Sequence, residues 1–237
     1  MPDFFHTGEF YSLLCAVIWA FGVIMFRVSG LTVPPVPLNL FKGAVALLLL
    51  VPTMLIRGTS FVPARLDALQ WGQLMLSGVV GIAVADSIFF ASLNRLGAAA
   101  NAIVSCLYSP FVVLLAVVFL GEPLTVHLVL AAALMASGIL LGTSRAALRA
   151  TSAADRADRT RGITYGLLSA ALMAVGINLA KPVLGHADVL WSTAVRLLGA
   201  VLFLGVQGLL PAHRAVVWRI FTSVRQWRWL LPASVVG

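Results

Sequence analysis

Gly8-Glu-Phe-Tyr-Ser-Leu-Leu-Cys-Ala-Val-Ile-Trp-Ala-Phe-Gly-Val-Ile-Met-Phe-Arg27 repeats itself 154 residues later as Gly162-Ile-Thr-Tyr-Gly-Leu-Leu-Ser-Ala-Ala-Leu-Met-Ala-Val-Gly-Ile-Asn-Leu-Ala-Lys181. Seven of the twenty positions are identical, Gly8/Gly162, Tyr11/Tyr165 and Gly22/Gly176 among them, and the closing Arg27 falls on the closing Lys181. The same shift sets Lys42 on Arg196. After a two-residue insertion, a shift of 156 sets Trp71 on Trp227 and Val79-Val80-Gly81 on Val235-Val236-Gly237. Matches of Leu and Ala are cheap in apolar sequence; the Gly, Trp and paired-cation matches carry the register.

Both copies are too apolar for water. The 237 residues are 61% hydrophobic and 10% charged, with a mean hydropathy of +1.02, where soluble domains run about 45–50% apolar and about 25% charged. A chain this size has too little interior to hide the excess, so the excess faces lipid. A soluble enzyme, a disordered chain and a disulfide-stapled secreted module are excluded. A helix needs about 20 apolar residues to cross the hydrocarbon core. Runs of that kind lie near residues 10–28, 38–56, 71–93, 98–120, 125–143, 162–183 and 189–210, with another opening at 229. Turn and breaker residues separate them, as in Val33-Pro34-Pro35-Val36-Pro37 and Gly121-Glu122-Pro123. The runs are too long for barrel strands and do not alternate with period two. The first is read as retained, because MPDFFHTGEF lacks the basic region of a cleaved signal.

Five runs precede the polar stretch Thr143 to Arg161, and an odd number of crossings inverts the copy that follows. The expected fold is an all-α, polytopic transmembrane helix bundle of inverted five-helix repeats. Residues 1–145 form the first, 146–161 a polar linker and 162–237 an incomplete second. The first copy continues 64 residues past Gly81, to Arg145, so a matching second copy would end near residue 301. Ten helices are expected in full and seven to eight here. The net charge of +8 resides in cations between apolar runs, which suits headgroups and cytoplasmic loops rather than nucleic acid. Arg145, Arg149, Arg156, Arg159 and Arg161 lie on the side that also carries Arg214, Arg219, Arg225 and Arg228. The positive-inside rule therefore puts the linker in the cytoplasm and the N-terminus outside, in the cell (inner) membrane.

Ionisable residues at membrane depth are costly and are candidates for function. Asp86 is the acid deep in a span; it binds a cationic group or proton, pairs with Lys42, or lies near a loop. Lys42 and its counterpart Arg196 either attract an anionic group or snorkel to the interface. For Arg27 and Lys181, at span ends, snorkelling is expected. Trp19 and Tyr108 are aromatic candidates for a cavity wall. Asn101, Ser105 and Tyr108, spaced i, i+4 and i+7, are expected on one face of the fourth helix, turned from lipid toward a cavity. Pro110 removes a donor and is expected to loosen that helix. Glu122 is read as a cap of the next helix, and Cys15 and Cys106 as small packing residues. The four His are scattered, and there is no Walker loop, GxSxG, HExxH or EF-hand spacing. No catalytic residue, metal or cofactor is assigned.

The stretch Asn101-Ala-Ile-Val-Ser-Cys-Leu-Tyr-Ser-Pro110, followed by Gly121-Glu122, Leu124-Thr125 and Gly138-Ile139, resembles the fourth and fifth helices of the EamA-like family of the drug/metabolite transporter superfamily. Trp19, Gly22, Arg27 and Lys42 fit the same pattern. The resemblance implies ten helices in two inverted halves around a central cavity, and export or import of amino acids, metabolites, nucleobases or drugs. Ala131 stands where the family usually has glycine, and the last helices of the pattern are missing. The expected function is secondary transport of a small metabolite or drug by alternating access, with the bilayer and a small-molecule substrate as partners. Homo-oligomerisation is left open. The alternatives are a non-transporting membrane fragment or assembly partner and, behind it, an integral-membrane enzyme.

Overall fold

The computed structural model describes residues 8–59, 67–121, 123, 125–148 and 153–236. Helices α1 (Gly8–Ser29), α2 (Pro35–Arg57) and α3 (Ala68–Gly78) come first. A wide π turn, Val79–Val84, leads from α3 into α4 (Ala85–Leu96). Then follow α5 (Ala98–Ser105), α6 (Tyr108–Leu120), α7 (Val126–Leu148), α8 (Ala153–Leu184), α9 (Val189–Leu209), α10 (Pro211–Thr222) and α11 (Val224–Val236). Local chemistry sets the ends. Asp67 and Gln70 form a reciprocal capping box at the start of α3, and Asp188 caps α9 through the Trp191 amide. Gly58 closes α2 at φ 66°, in the left-handed region where a side chain would strain the backbone.

Among the described residues, six helical stretches are long and apolar enough to cross a bilayer: Phe10–Ser29, Pro35–Arg57, Ala68–Leu96, Ala98–Leu120, Ala154–Leu184 and Val189–Leu209. The chain is an integral, multi-pass membrane protein. The fifth expected run falls on α7, of whose side chains only part is described. The eighth begins at Val224, five residues before the expected 229. Large apolar side chains stand exposed around the bundle, including Phe21, Leu48, Ile56, Phe119, Leu134 and Val206. That is an arrangement for lipid, where the apolar perimeter costs nothing.

Three expectations are corrected. The polar stretch 146–161 is not all linker, because its second part, from Ala153, is the opening of α8. Arg95 holds that extension: its Nε lies 3.2 Å from Asp158 Oδ1 and its guanidinium 4.9 Å over the Tyr165 ring. The fourth run is broken at Cys106-Leu107, whose amides bond three residues back, to Ile103 and Val104. Pro110 explains the site of the break, since it offers no N–H to the Cys106 carbonyl one turn behind. Cys15 and Cys106 are exposed rather than packed inside.

Packing between the copies is reciprocal. The third span of the first copy (α3, the π turn and α4) lies against α8 and α9, whereas α11, its counterpart, lies against α1 and α2. Trp71 meets Trp191 edge-on at 4.8 Å, and its counterpart Trp227 packs at 6.1 Å from Phe41. One core joins Phe26, Leu38, Phe41, Phe89, Phe90 and Leu230; another joins Met54, Leu74, Val183, Trp191 and Val195. The helices cross closely because small residues meet at the crossings. A Cβ built on Gly81 would lie 2.9 Å from the Gly176 Cα, and one on Gly199 only 2.6 Å from the Met75 carbonyl oxygen.

Candidate functional site

The third span is the axis of the candidate site, and its π turn is the reason. A π turn bonds five residues back instead of four, leaving carbonyls without their usual amide partners. Asn39, fully buried on α2, supplies replacements. Its Nδ2 stands 3.0 Å from both the Ile82 and the Ala83 carbonyl oxygens and 3.1 Å from Ser87 Oγ. Two residues on, Ser169 of α8 donates to the Ala85 carbonyl at 2.9 Å. Neither Asn39 nor Ser169 was singled out from sequence. The available signal was a lone amide in an apolar helix, three residues before Lys42.

On either side of the π turn, a cation from each copy grips the span. Lys42 of α2 reaches Asp86, Nζ to Oδ2 at 2.5 Å, with both residues buried. Its ammonium also lies 5.9 Å from the centre of the Phe26 ring and 5.7 Å from that of Phe90, within cation–π range. Of the readings open for Asp86, the structure has it buried and paired with Lys42; neither side chain snorkels. Arg196 of α9 comes from the other copy. Its Nε donates to Ser77 Oγ at 2.7 Å, and its Nη2 lies 3.7 Å from the Cβ position of Gly81. Electrostatically it interacts with Tyr108 and Asp86. Its terminal amino groups have no hydrogen-bond partner among the described residues. The group formed by Lys42, Arg196 and Asp86 therefore carries one cation in excess.

The expected stripe Asn101–Ser105–Tyr108 is interrupted at Cys106-Leu107, between Ser105 and Tyr108. Asn101 is fully buried against Ser92, whose Oγ lies 2.7 Å from Asn101 Oδ1 and 2.8 Å from the Gly162 carbonyl. Ser105 turns its hydroxyl back onto the Asn101 carbonyl at 2.8 Å. Asn101 and Ser105 line, with Trp19, an apolar groove of about 510 Å³ between α1, α4 and α5. Trp19 is exposed there, 6.2 Å from Phe89. Tyr108 belongs instead with Arg196. The structure thus brings Lys42, Asp86, Arg196 and Tyr108 together and leaves Trp19, Asn101 and Ser105 in a separate groove.

At the span ends, Lys181 is exposed, but Arg27 does not snorkel. It donates from Nη1 to the Asn94 carbonyl at 3.0 Å, tying α1 to the end of α4. Glu122, expected as a cap, lies outside the described residues.

No curated protein and no solved structure matches the chain. A family model does, that of the EamA-like transporter family, over residues 6–144. That match covers more than half of the chain, and it falls on the copy that carries Lys42, Asp86 and Tyr108. The chain belongs to the EamA-like transporter family and is a membrane transporter of the drug/metabolite type.

Proposed function

We propose that the chain is a secondary transporter that moves a small polar metabolite or drug across the cell membrane by alternating access. In this reading residues 1–145 and 162–237 are inverted copies of one unit, and substrate is met where they join, at Arg196 and Tyr108 beside the π turn. The observation that carries it is the grip of two repeat-related cations, Lys42 and Arg196, on one span. A substrate that competes for Arg196 loosens the second copy from the third span while Lys42 and Asp86 keep the first copy closed on it. The reciprocal packing of α3 on α8 and α9, and of α11 on α1 and α2, supports the same reading, since inverted repeats rocking about a midplane site require such an exchange. Without a nucleotide-binding motif, the driving force is an ion or substrate gradient.

The test is flux of radiolabelled metabolites in proteoliposomes, wild type against Arg196→Gln. Loss of at least about tenfold in flux, equivalent to 1.4 kcal/mol, is expected at an unchanged thermal midpoint. Flux that survives Arg196→Gln at the wild-type rate removes Arg196 from the pathway. Absence of flux for every substrate class of the family returns the chain to the assembly-partner alternative.

A further inference from the structure

Between Pro211 and Leu231 the sequence holds Arg214, Arg219, Arg225 and Arg228, with Trp218, Trp227 and Trp229, and no carboxylate; the last acid of the sequence is Asp188. Helix α11 carries the second part of this stretch; helix α10 forms the first part and packs on α2 and α9. It is amphipathic: Ile220 is fully buried, Val216 and Val217 partly, while Arg214, Trp218 and Arg219 stand exposed. Under it runs a groove of about 920 Å³, lined by Leu40, Gly205, Gly208, Leu209 and Trp218, with Arg214 as the charged group in its wall. The groove is open where Gly205 forms its floor, since a Cβ there would meet nothing within 4 Å. It lies at the end of the α9 span, where the chain turns at Leu210-Pro211.

We infer that this groove holds an anionic phospholipid, one acyl chain lying along Gly205 and Gly208 and the headgroup phosphate beside Arg214. An apolar slot opening at the membrane interface suits a hydrocarbon chain. The Arg214 guanidinium at the slot suits a phosphate, and Trp218 in its wall is a residue of the headgroup level. The charge pattern argues against a second copy of the chain as occupant. A two-fold contact through α10 would oppose arginine to arginine with no carboxylate to neutralise either. The inference does not depend on what the protein transports.

The test is native mass spectrometry of the purified chain in neutral detergent. The chain is titrated with phosphatidylglycerol or with phosphatidylcholine of identical acyl chains. Phosphatidylglycerol is expected to be retained at about tenfold lower concentration. Arg214→Gln should weaken its retention about fivefold, the factor appropriate to one cation at the membrane surface, and leave phosphatidylcholine unchanged. Gly205→Leu should fill the slot and weaken retention of both lipids while leaving the thermal midpoint of the lipid-free protein in place. Equal retention of the two lipids, or a silent Gly205→Leu, overturns the inference. So does displacement of phosphatidylglycerol by inorganic phosphate at equal concentration, which would mark a site for a water-soluble anion. A lipid-free dimer as the stable species would assign the groove to a second copy instead.

Discussion

Lys42 and Arg196 occupy the same position in the two copies and grip the same span, yet their surroundings differ in kind. Lys42 is buried, faces a carboxylate and lies close to two phenyl rings. Arg196 is only half-buried and holds a neutral hydroxyl. At the first, the charge is cancelled within the protein, so little remains to answer a ligand. At the second, the charge is positioned but not cancelled. A buried ion pair adds little net stability over apolar residues but is costly to break from one side. The first contact is therefore a lock and the second a latch.

The largest effect that can break this comparison is Asp86→Ala. It strands a buried ammonium among aromatic rings and should destabilise the protein by about 3–5 kcal/mol. The double replacement Lys42→Met with Asp86→Leu should return most of that stability. Thermal unfolding in detergent reads both, and an Asp86→Ala protein as stable as wild type would show that the pair locks nothing. Next in size is Gly199→Val, three residues past Arg196, where the new Cβ lies against the Met75 carbonyl. Forcing α9 from α3 should cost about 1–3 kcal/mol and displace the Arg196 guanidinium from Ser77. Unchanged stability would mean that the crossing is looser than its geometry. The smallest effect sharpens the contrast. Ser77→Ala removes the neutral partner of Arg196 and should cost about 0.6 kcal/mol, the average for a hydrogen bond between membrane helices. A loss as large as that of Asp86→Ala would make the two contacts equivalent and sink the distinction between lock and latch.

Legibility in the sequence divides along the same lines. Glycine, tryptophan and cation identities at fixed shifts put Lys42 and Arg196 in one register, and both prove to contact the third span. The Lys42–Asp86 pairing was one of several open readings, because spacing alone does not say which of two deep charges finds the other. Asn39 and Ser77 stayed hidden for a different reason. Their importance comes from the π turn, and no residue in Val79-Val-Gly-Ile-Ala-Val84 announces one; it coincides with the close crossing of Gly81 with Gly176. The i, i+4, i+7 rule that grouped Tyr108 with Asn101 and Ser105 assumes an unbroken α-helix, whereas Cys106 and Leu107 bond three residues back. Pro110 signalled a loosening, and the turn falls at Cys106-Leu107, between Ser105 and Tyr108. Arg27 was expected at the interface, where lipid is the default solvent, yet the open carbonyl of Asn94 outcompeted it.

The π turn also acts as a phase shifter. Ser77 and Asp86 are nine residues apart, which in an uninterrupted α-helix is about two and a half turns and places them on opposite sides. The wide turn absorbs roughly one residue, so the effective interval falls to about two and a quarter turns. The serine for one copy and the aspartate for the other are thereby rotated toward a common side of the same rod. A strictly α-helical third span would have to choose which copy to face; one slack turn lets it address both.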